Sequence, residues 1–406
     1  MKLTKMFRVS ATVLGCLLVL ISCRQGEDAA SSPLAPVDVK VVNHLVAVLG
    51  HESRVLELVD PASGEKVKSI RLAQPPNGMA VDGATVYVAE GGARGVVEVV
   101  DLESGELKRS FPAGHTPMSP VLREGKLYVA CRFDSRVLEM DAAAGTVLNS
   151  WNVPREPVVL AVSPDGRKIW AAGHLPAGAA DGDFTAAALT LVEDGKAVHF
   201  PLSNGTQGVR GMAISPDGRY LAVAHVLSRY QAPTTQLDRG WMNTNAVTVI
   251  NTDEPDKPHP VLLDDPDAGA ANPWGVSFSG DGGKLFVTHA GTHELSVIDF
   301  PALLERMKRE GRSNEPVSER LGFLHGLRAR IALPLNGPRS VASDGKNVYV
   351  AGYFSDSLAE ISLKDARKSR AIPLKNWGNG ILMTLPIASR GGRAAPPATR
   401  TAGWTA

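Results

Sequence analysis

The chain has 406 residues, 44% of them apolar and 21% charged, which excludes wholesale disorder. Lys plus Arg is 43 and Asp plus Glu is 42, so a formal charge of +1 supplies no field to draw in nucleic acid or an anionic membrane. With 40 Gly and 28 Pro spread along it, the chain is punctuated for many short strands joined by tight turns.

Residues 1–23 begin with Lys2, Lys5 and Arg8 and continue in an apolar run, 9–21, too short to cross a bilayer comfortably. The run ends in Leu20-Ile21-Ser22-Cys23, which resembles a bacterial lipobox. That resemblance implies a signal peptide, an acylated Cys23 as first mature residue, and a lipid-anchored protein of the bacterial cell envelope. It would face the periplasm or the cell surface. Residues 24–37 are polar, small and Pro-containing, and read as a flexible tether. With Cys16 lost in the signal and Cys23 lipidated, Cys131 has no partner for a disulfide.

From 38 to 375 one pattern recurs. Turns at Asp82-Gly83, Glu124-Gly125, Asp165-Gly166, Asp217-Gly218, Asp281-Gly282 and Asp344-Gly345 each divide two apolar runs. The second runs read VYVA, LYVA, IWAA, LAVA, LFVT and VYVA, and third runs follow, such as LELVD, VEVVD and LSVID. The acids that close these runs read as turn caps. Four strands in about 40–45 residues is the β-propeller period. The expected fold is all-β: a seven-bladed β-propeller of four-stranded antiparallel blades, 38–375. Two packed β-sandwiches are the structural alternative. Six innermost strands lie between the sets; the seventh must come from residues 38–43 or from 381–385.

With strands lettered A to D from the hub outward, the D–A and B–C loops open on one face. The turns entering A strands place His115, Arg155, Arg210, Trp274 and Arg339 there, and the B-strand ends place Arg132, His174, His225, His289 and Tyr353. Glu90 and Cys131 sit at the same ends. The insertion 226–245 adds Arg229, Tyr230, Arg239, Trp241 and Asn243. The arginines could clamp a carboxylate or a haem propionate, or pair with loop acids. The histidines, His225 and His289 first, could ligate a transition metal, or bond loop backbone. A second insertion, 300–330, contains a run from Pro301 that fits a short solvated helix. There is no nucleophile elbow, P-loop, Rossmann fingerprint or HExxH, so no catalytic set is expected.

The repeats resemble the YVTN-type β-propeller. The tract RYLAVAHVLSRYQAPTTQLDRGWMNTNA (219–246), with LFVTHAGTHELSVID and VYVAGYFSDSL, resembles bacterial lipoproteins in which such a propeller precedes a domain similar to di-haem cytochrome c peroxidases. The resemblance implies haem c as cofactor and a periplasmic redox protein or c-type cytochrome as partner. Yet no CxxCH occurs in the chain. Residues 376–406 therefore read as a ring-closing strand, a disordered tail, or a truncated or frame-shifted remnant of that domain. The expected function is an envelope docking propeller of a c-type cytochrome system, more a binding module than an enzyme. The alternatives are a metal-dependent oxidoreductase or lactonase-like enzyme using channel-mouth histidines, and a surface adhesion or polymer-binding propeller.

Overall fold

The computed structural model describes residues 33–230, 242–310, 317, 320–365 and 368–374. Their strands form seven antiparallel sheets, each of four strands consecutive in sequence. Blades 1 to 7 span 36–71, 76–112, 117–152, 157–201, 206–262, 273–332 and 338–373. B strands such as Thr85–Glu90 and Lys284–His289 are buried on both faces, which is why they read as unbroken apolar runs. D strands such as Leu107–Pro112 and Val147–Asn152 are largely exposed. Polar residues there blunt the outer edge against pairing with another chain.

The turns are built by the acids that punctuate the sequence. Asp60, Asp101 and Asp141 each accept a backbone N–H two residues on, from Ala62, Glu103 and Ala143, at 2.8, 2.8 and 2.9 Å. Between A and B strands, the hydroxyls of Ser163, Ser215 and Ser279 donate to Asp165, Asp217 and Asp281 at 2.6, 2.5 and 2.5 Å. These local bonds hold each hairpin at its register.

Strand A of blade 1 is Pro36–Val42, so the first of the two expected closing segments supplies it and blade 1 is complete within itself. Residues 381–385 and the rest of 376–406 lie outside the described residues, as do the signal segment and Cys23. Leu34 and Ala35, expected in the tether, are buried at the seam. Leu34, Val39 and Val46 of the first blade pack with Tyr349, Leu358, Ile372 and Leu374 of the last.

Two insertions leave the ring. In blade 5, strands B (Tyr220–Ser228) and C (Asn243–Asn251) each extend to nine residues and stay paired to Ser228 and Asn243. In blade 6, helix α1 (Phe300–Glu310) joins strands C and D. Asp299 caps it, accepting the Ala302 N–H at 3.1 Å. Phe300 and Leu303 bury one side of α1 among Ala222, Val249, Leu285 and Ile298.

Candidate functional site

Every A strand is irregular at its start, where its register with strand B slips. The cause is local. Ala35, Thr116, Glu156, Asn272 and Gly337 take left-handed φ of 51°, 52°, 56°, 55° and 62°, and each is followed by Pro. Blade 5 uses Gly208 (φ 63°) and Val209 instead. A left-handed residue before a fixed-φ Pro breaks the ladder and re-aims the next side chain. That next position holds Val37, Asn77, Met118, Val158, Arg210, Trp274 and Arg339 in blades 1 to 7. Asn77 reaches across to blade 3, its Nδ2 donating to Pro117 O at 3.1 Å.

In three consecutive blades this position is Arg, Trp, Arg. The Arg339 guanidinium stacks on the Trp274 indole, Cζ 3.4 Å from the ring centroid, and the Arg210 Cζ lies 4.4 Å from the same ring. Arg339 also lies over Tyr353 (4.4 Å) and within 5.9 Å of Phe354. Glycines let the strands approach this closely. A Cβ on Gly211 would strike Trp274 O, and one on Gly275 would strike Arg339 O. Thr288 Oγ1 clamps the pair, accepting Gly275 N–H at 2.8 Å and donating to Arg339 O at 2.7 Å. Burial among these walls pushes the Arg339 guanidinium down to about 10. Arg210 is lowered by loss of hydration and by Arg132, although its side chain is open to solvent.

The other expected site residues separate into groups. Arg132 is engaged: its Nε and Nη2 donate to Glu156 Oε2 at 3.0 and 2.8 Å. His115 stacks edge-on to Phe133, and its N–H donates to Asp134 Oδ2 at 2.9 Å. His174 is buried, and Nδ1 donates to Val209 O at 2.9 Å. Desolvation, then Arg210 and Arg132, lowers its affinity for a proton. Arg155 is exposed, one residue before the left-handed Glu156. It and His115 lie upstream of the re-aimed position, so they are not equivalents of Arg210. The Tyr230 hydroxyl donates to Asp183 O and Asn204 Oδ1, both at 2.9 Å, and Asn243 starts strand C of blade 5. Arg229 precedes Tyr230, its N–H donating to Met242 O at 2.8 Å. Arg239 and Trp241 lie outside the described residues.

His225 and His289 do not line the mouth. Both are fully buried inside their own blades. His225 Nδ1–H donates to Val226 O at 3.1 Å while Nε2 accepts from Thr248 Oγ1 at 2.6 Å. His289 does the same with Ala270 O (3.1 Å) and Ser296 Oγ (2.7 Å). Burial holds them neutral, at about 4 and about 3. Both ring nitrogens are spent, which removes the proposed metal ligands, and among the described residues no His, Cys, Asp or Glu group could hold a metal ion. The equivalent pair in blade 2 is Glu90 with Glu98, both buried. Cys131, at the same point of blade 3, is buried, donates to Ala113 O, and is pushed up to about 12 by desolvation, so it is no reactive thiol.

The residues missed in the sequence are Phe133, Phe184 and Phe354; Tyr230 was already expected on this face. The exposed large aromatics among the described residues are Phe133, Phe184, Tyr230 and Phe354, and all four lie in B–C loops, on the face of the Arg-Trp-Arg group. Phe354 is 70% exposed. Their signal was a bulky aromatic in a turn of otherwise small or polar residues.

No family model matches the chain. It is similar to the β subunit of hydrazine synthase from Kuenenia stuttgartiensis, at 28% identity over 213 residues, half of this chain and 53% of that relative's length. The match therefore spans about half of the curated relative. A solved Kuenenia stuttgartiensis hydrazine synthase chain superposes with a TM-score of 0.74 at 23% identity, covering 83% of this chain and 98% of that one. A streptogramin B lyase structure aligns less closely, with a TM-score of 0.56 at 14% identity over 79% of this chain and 91% of that one. These structural likenesses establish the propeller fold.

The similarity to a hydrazine synthase subunit overturns the expected kinship with YVTN-type lipoproteins that precede a di-haem peroxidase-like domain. With it go the lipoprotein and cytochrome c-associated descriptions and the free-standing envelope docking module. The adhesion and metal-enzyme alternatives fall with them. The physical reason is that VYVA-type runs are what any doubly buried B strand requires, so they report the blade and not the lineage.

Proposed function

We propose that the chain is a subunit of a multi-subunit enzyme of the hydrazine synthase kind, and that it meets its neighbours through the B–C and D–A face. The similarity over 213 residues to a protein named as a subunit carries this reading. The clustering of Phe133, Phe184, Tyr230 and Phe354 on that face supports it, because exposed aromatics ringed by polar loops and arginines are the composition of a subunit contact. The basic and apolar stretch at 1–23 supports export of the chain across a membrane. The same reading expects no turnover from the chain by itself; activity would require the other subunits.

Purification from the native source under mild conditions should yield the chain in a fixed stoichiometry with other polypeptides, by light scattering and mass spectrometry. A Phe133→Glu, Phe354→Glu variant should run free of them. A Val67→Glu, Leu107→Glu variant, altered on exposed D strands, should still assemble. A wild-type chain that is monomeric at every concentration, or equal loss in both variants, would overturn the proposal.

A further inference from the structure

We propose that Arg210, Trp274 and Arg339 form a binding site for a carboxylate at the mouth of the hub. Three observations carry it. First, the re-aimed position of blades 5, 6 and 7 brings two guanidinium groups onto one indole, at 4.4 and 3.4 Å. Stacking occupies the flat faces of a guanidinium and leaves its in-plane N–H donors free. Second, those donors are unspent. Arg339 Nε is buried without a hydrogen-bond partner, and neither Arg339 nor Arg210 has an acid within 4.0 Å among the described residues. A buried donor left unpaired is costly, and a carboxylate oxygen satisfies it best. Third, the nearby acid is already committed. Glu156 is held by Arg132, so the mouth keeps positive charge in walls that exclude part of the water.

The contrast with other arginines sharpens the assignment. Arg328 and Arg330 are also well buried, but both donate to Asp265, and Arg330 also reaches Glu294, Ala268 O and Gly269 O. Those two tie the loop before blade 6 to its D strand. Among the described residues, neither the Arg210 nor the Arg339 guanidinium is paired with an acid. Trp274 instead acts as a rigid spacer that holds the two forks at one mouth.

A carboxylate can arrive as a free small acid or as an Asp or Glu of a neighbouring subunit, and two experiments separate these. In the first, the purified full-length chain is titrated with sodium acetate, with sodium chloride at matched ionic strength as control, and tryptophan emission is followed. A free-acid site gives a saturable change with acetate only. It is absent in Trp274→Phe and weaker by roughly tenfold or more in Arg210→Gln and in Arg339→Gln. Arg339→Lys, which keeps the charge and loses the fork, should fall between, and circular dichroism reports that each variant is folded. In the second, the Arg210→Gln, Arg339→Gln double variant is tested for assembly with the other subunits. Loss of assembly in a folded chain that ignores acetate assigns the carboxylate to a neighbour. If acetate acts no differently from chloride and the double variant assembles as wild type does, the site does not exist. If the chain has no partners, the assembly reading fails and the acetate titration alone decides this one.

Discussion

Glu90 is fully buried near the nearly buried Glu98; its Oε2 accepts the Gln74 N–H at 3.0 Å, and its Oε1 has no hydrogen-bond partner among the described residues. Burial first, then Glu98, pushes the Glu90 carboxyl up to about 8, against an ordinary value of 4.5. Glu90 therefore holds its proton at neutral pH, where water does not reach it. The folded chain keeps this proton between 4.5 and about 8 while the unfolded chain has released it. Stability accordingly falls as pH rises through that window and stays lowered above it. The histidines act in the opposite direction. Their ordinary value is 6.5, and burial lowers His225 to about 4 and His289 to about 3. The unfolded chain takes those protons first, so their stabilisation is complete above 6.5 and is lost as pH falls toward 4 and 3. The two windows overlap from 4.5 to 6.5, where two histidines outweigh one carboxyl, so these groups place the stability optimum near 6.5. Glu90→Gln retains an N–H donor toward Glu98 and cannot ionise. It should flatten the alkaline slope and add stability on the order of a few kcal/mol at about pH 9. Urea unfolding of both proteins at about pH 6 and about pH 9 measures it. A slope that persists in the variant would place the retained proton elsewhere.

The strand starts decide what each blade shows to the hub. In five blades a left-handed residue, a Pro and a slipped register turn one side chain toward the neighbouring blade, in blade 5 Gly208 and Val209 do so for Arg210, and Gly211 and Gly275 let the next strand close against it. Gly275→Ala would drive a methyl group into Arg339 O, a backbone atom with no rotamer to escape by. We expect a loss of roughly 1–3 kcal/mol and a shift in tryptophan emission as the Trp274 stack parts. Thermal unfolding and fluorescence check the two together; Gly280→Ala, likewise not left-handed and with nothing within 4 Å of its Cβ, is the control for an added methyl group without crowding. This level of structure explains what could be read beforehand. Apolar runs and Asp-Gly turns reveal blade number and strand order, because period and turn chemistry are local. Arg210, Trp274 and Arg339 were legible only within a set of five residues at the turns entering A strands, with His115 and Arg155. His115 and Arg155 looked like their equivalents, but the slip at Thr116 and Glu156 sets them one turn earlier. His225 and His289 looked like rim residues. Their burial depends on Thr248 and Ser296, hydroxyls on the next strand that no spacing rule pairs with a strand-end histidine.

At the scale of the ring, the question is how a circle of seven sheets stays shut. Each blade is formed by four consecutive strands, so no sheet contains strands from both ends of the described chain. The seam between blades 7 and 1 must hold by side chains alone. Its apolar part joins Val39 and Val46 to Tyr349 and Leu358. Its polar part centres on Asp38. Oδ1 accepts from Ser340 Oγ of blade 7 at 2.7 Å, and Oδ2 accepts the Met79 N–H of blade 2 at 3.0 Å. One carboxylate thus links three consecutive A strands. Asp356 adds a bond to Ala35 N at 2.9 Å, and Arg370 reaches Pro61 O. No backbone ladder joins any two blades, and among the described residues this is the boundary that no connecting loop spans, so it should be the first place the ring opens. Asp38→Ala removes both side-chain bonds and leaves the Met79 amide unpaired there, a loss of roughly 2–4 kcal/mol. Hydrogen exchange followed by mass spectrometry should show faster exchange in 36–50 and 338–352, with blade 4 unchanged until global unfolding. Exchange that rises equally in all blades would mean that the ring opens as one unit and that Asp38 fixes only the register of its own strand.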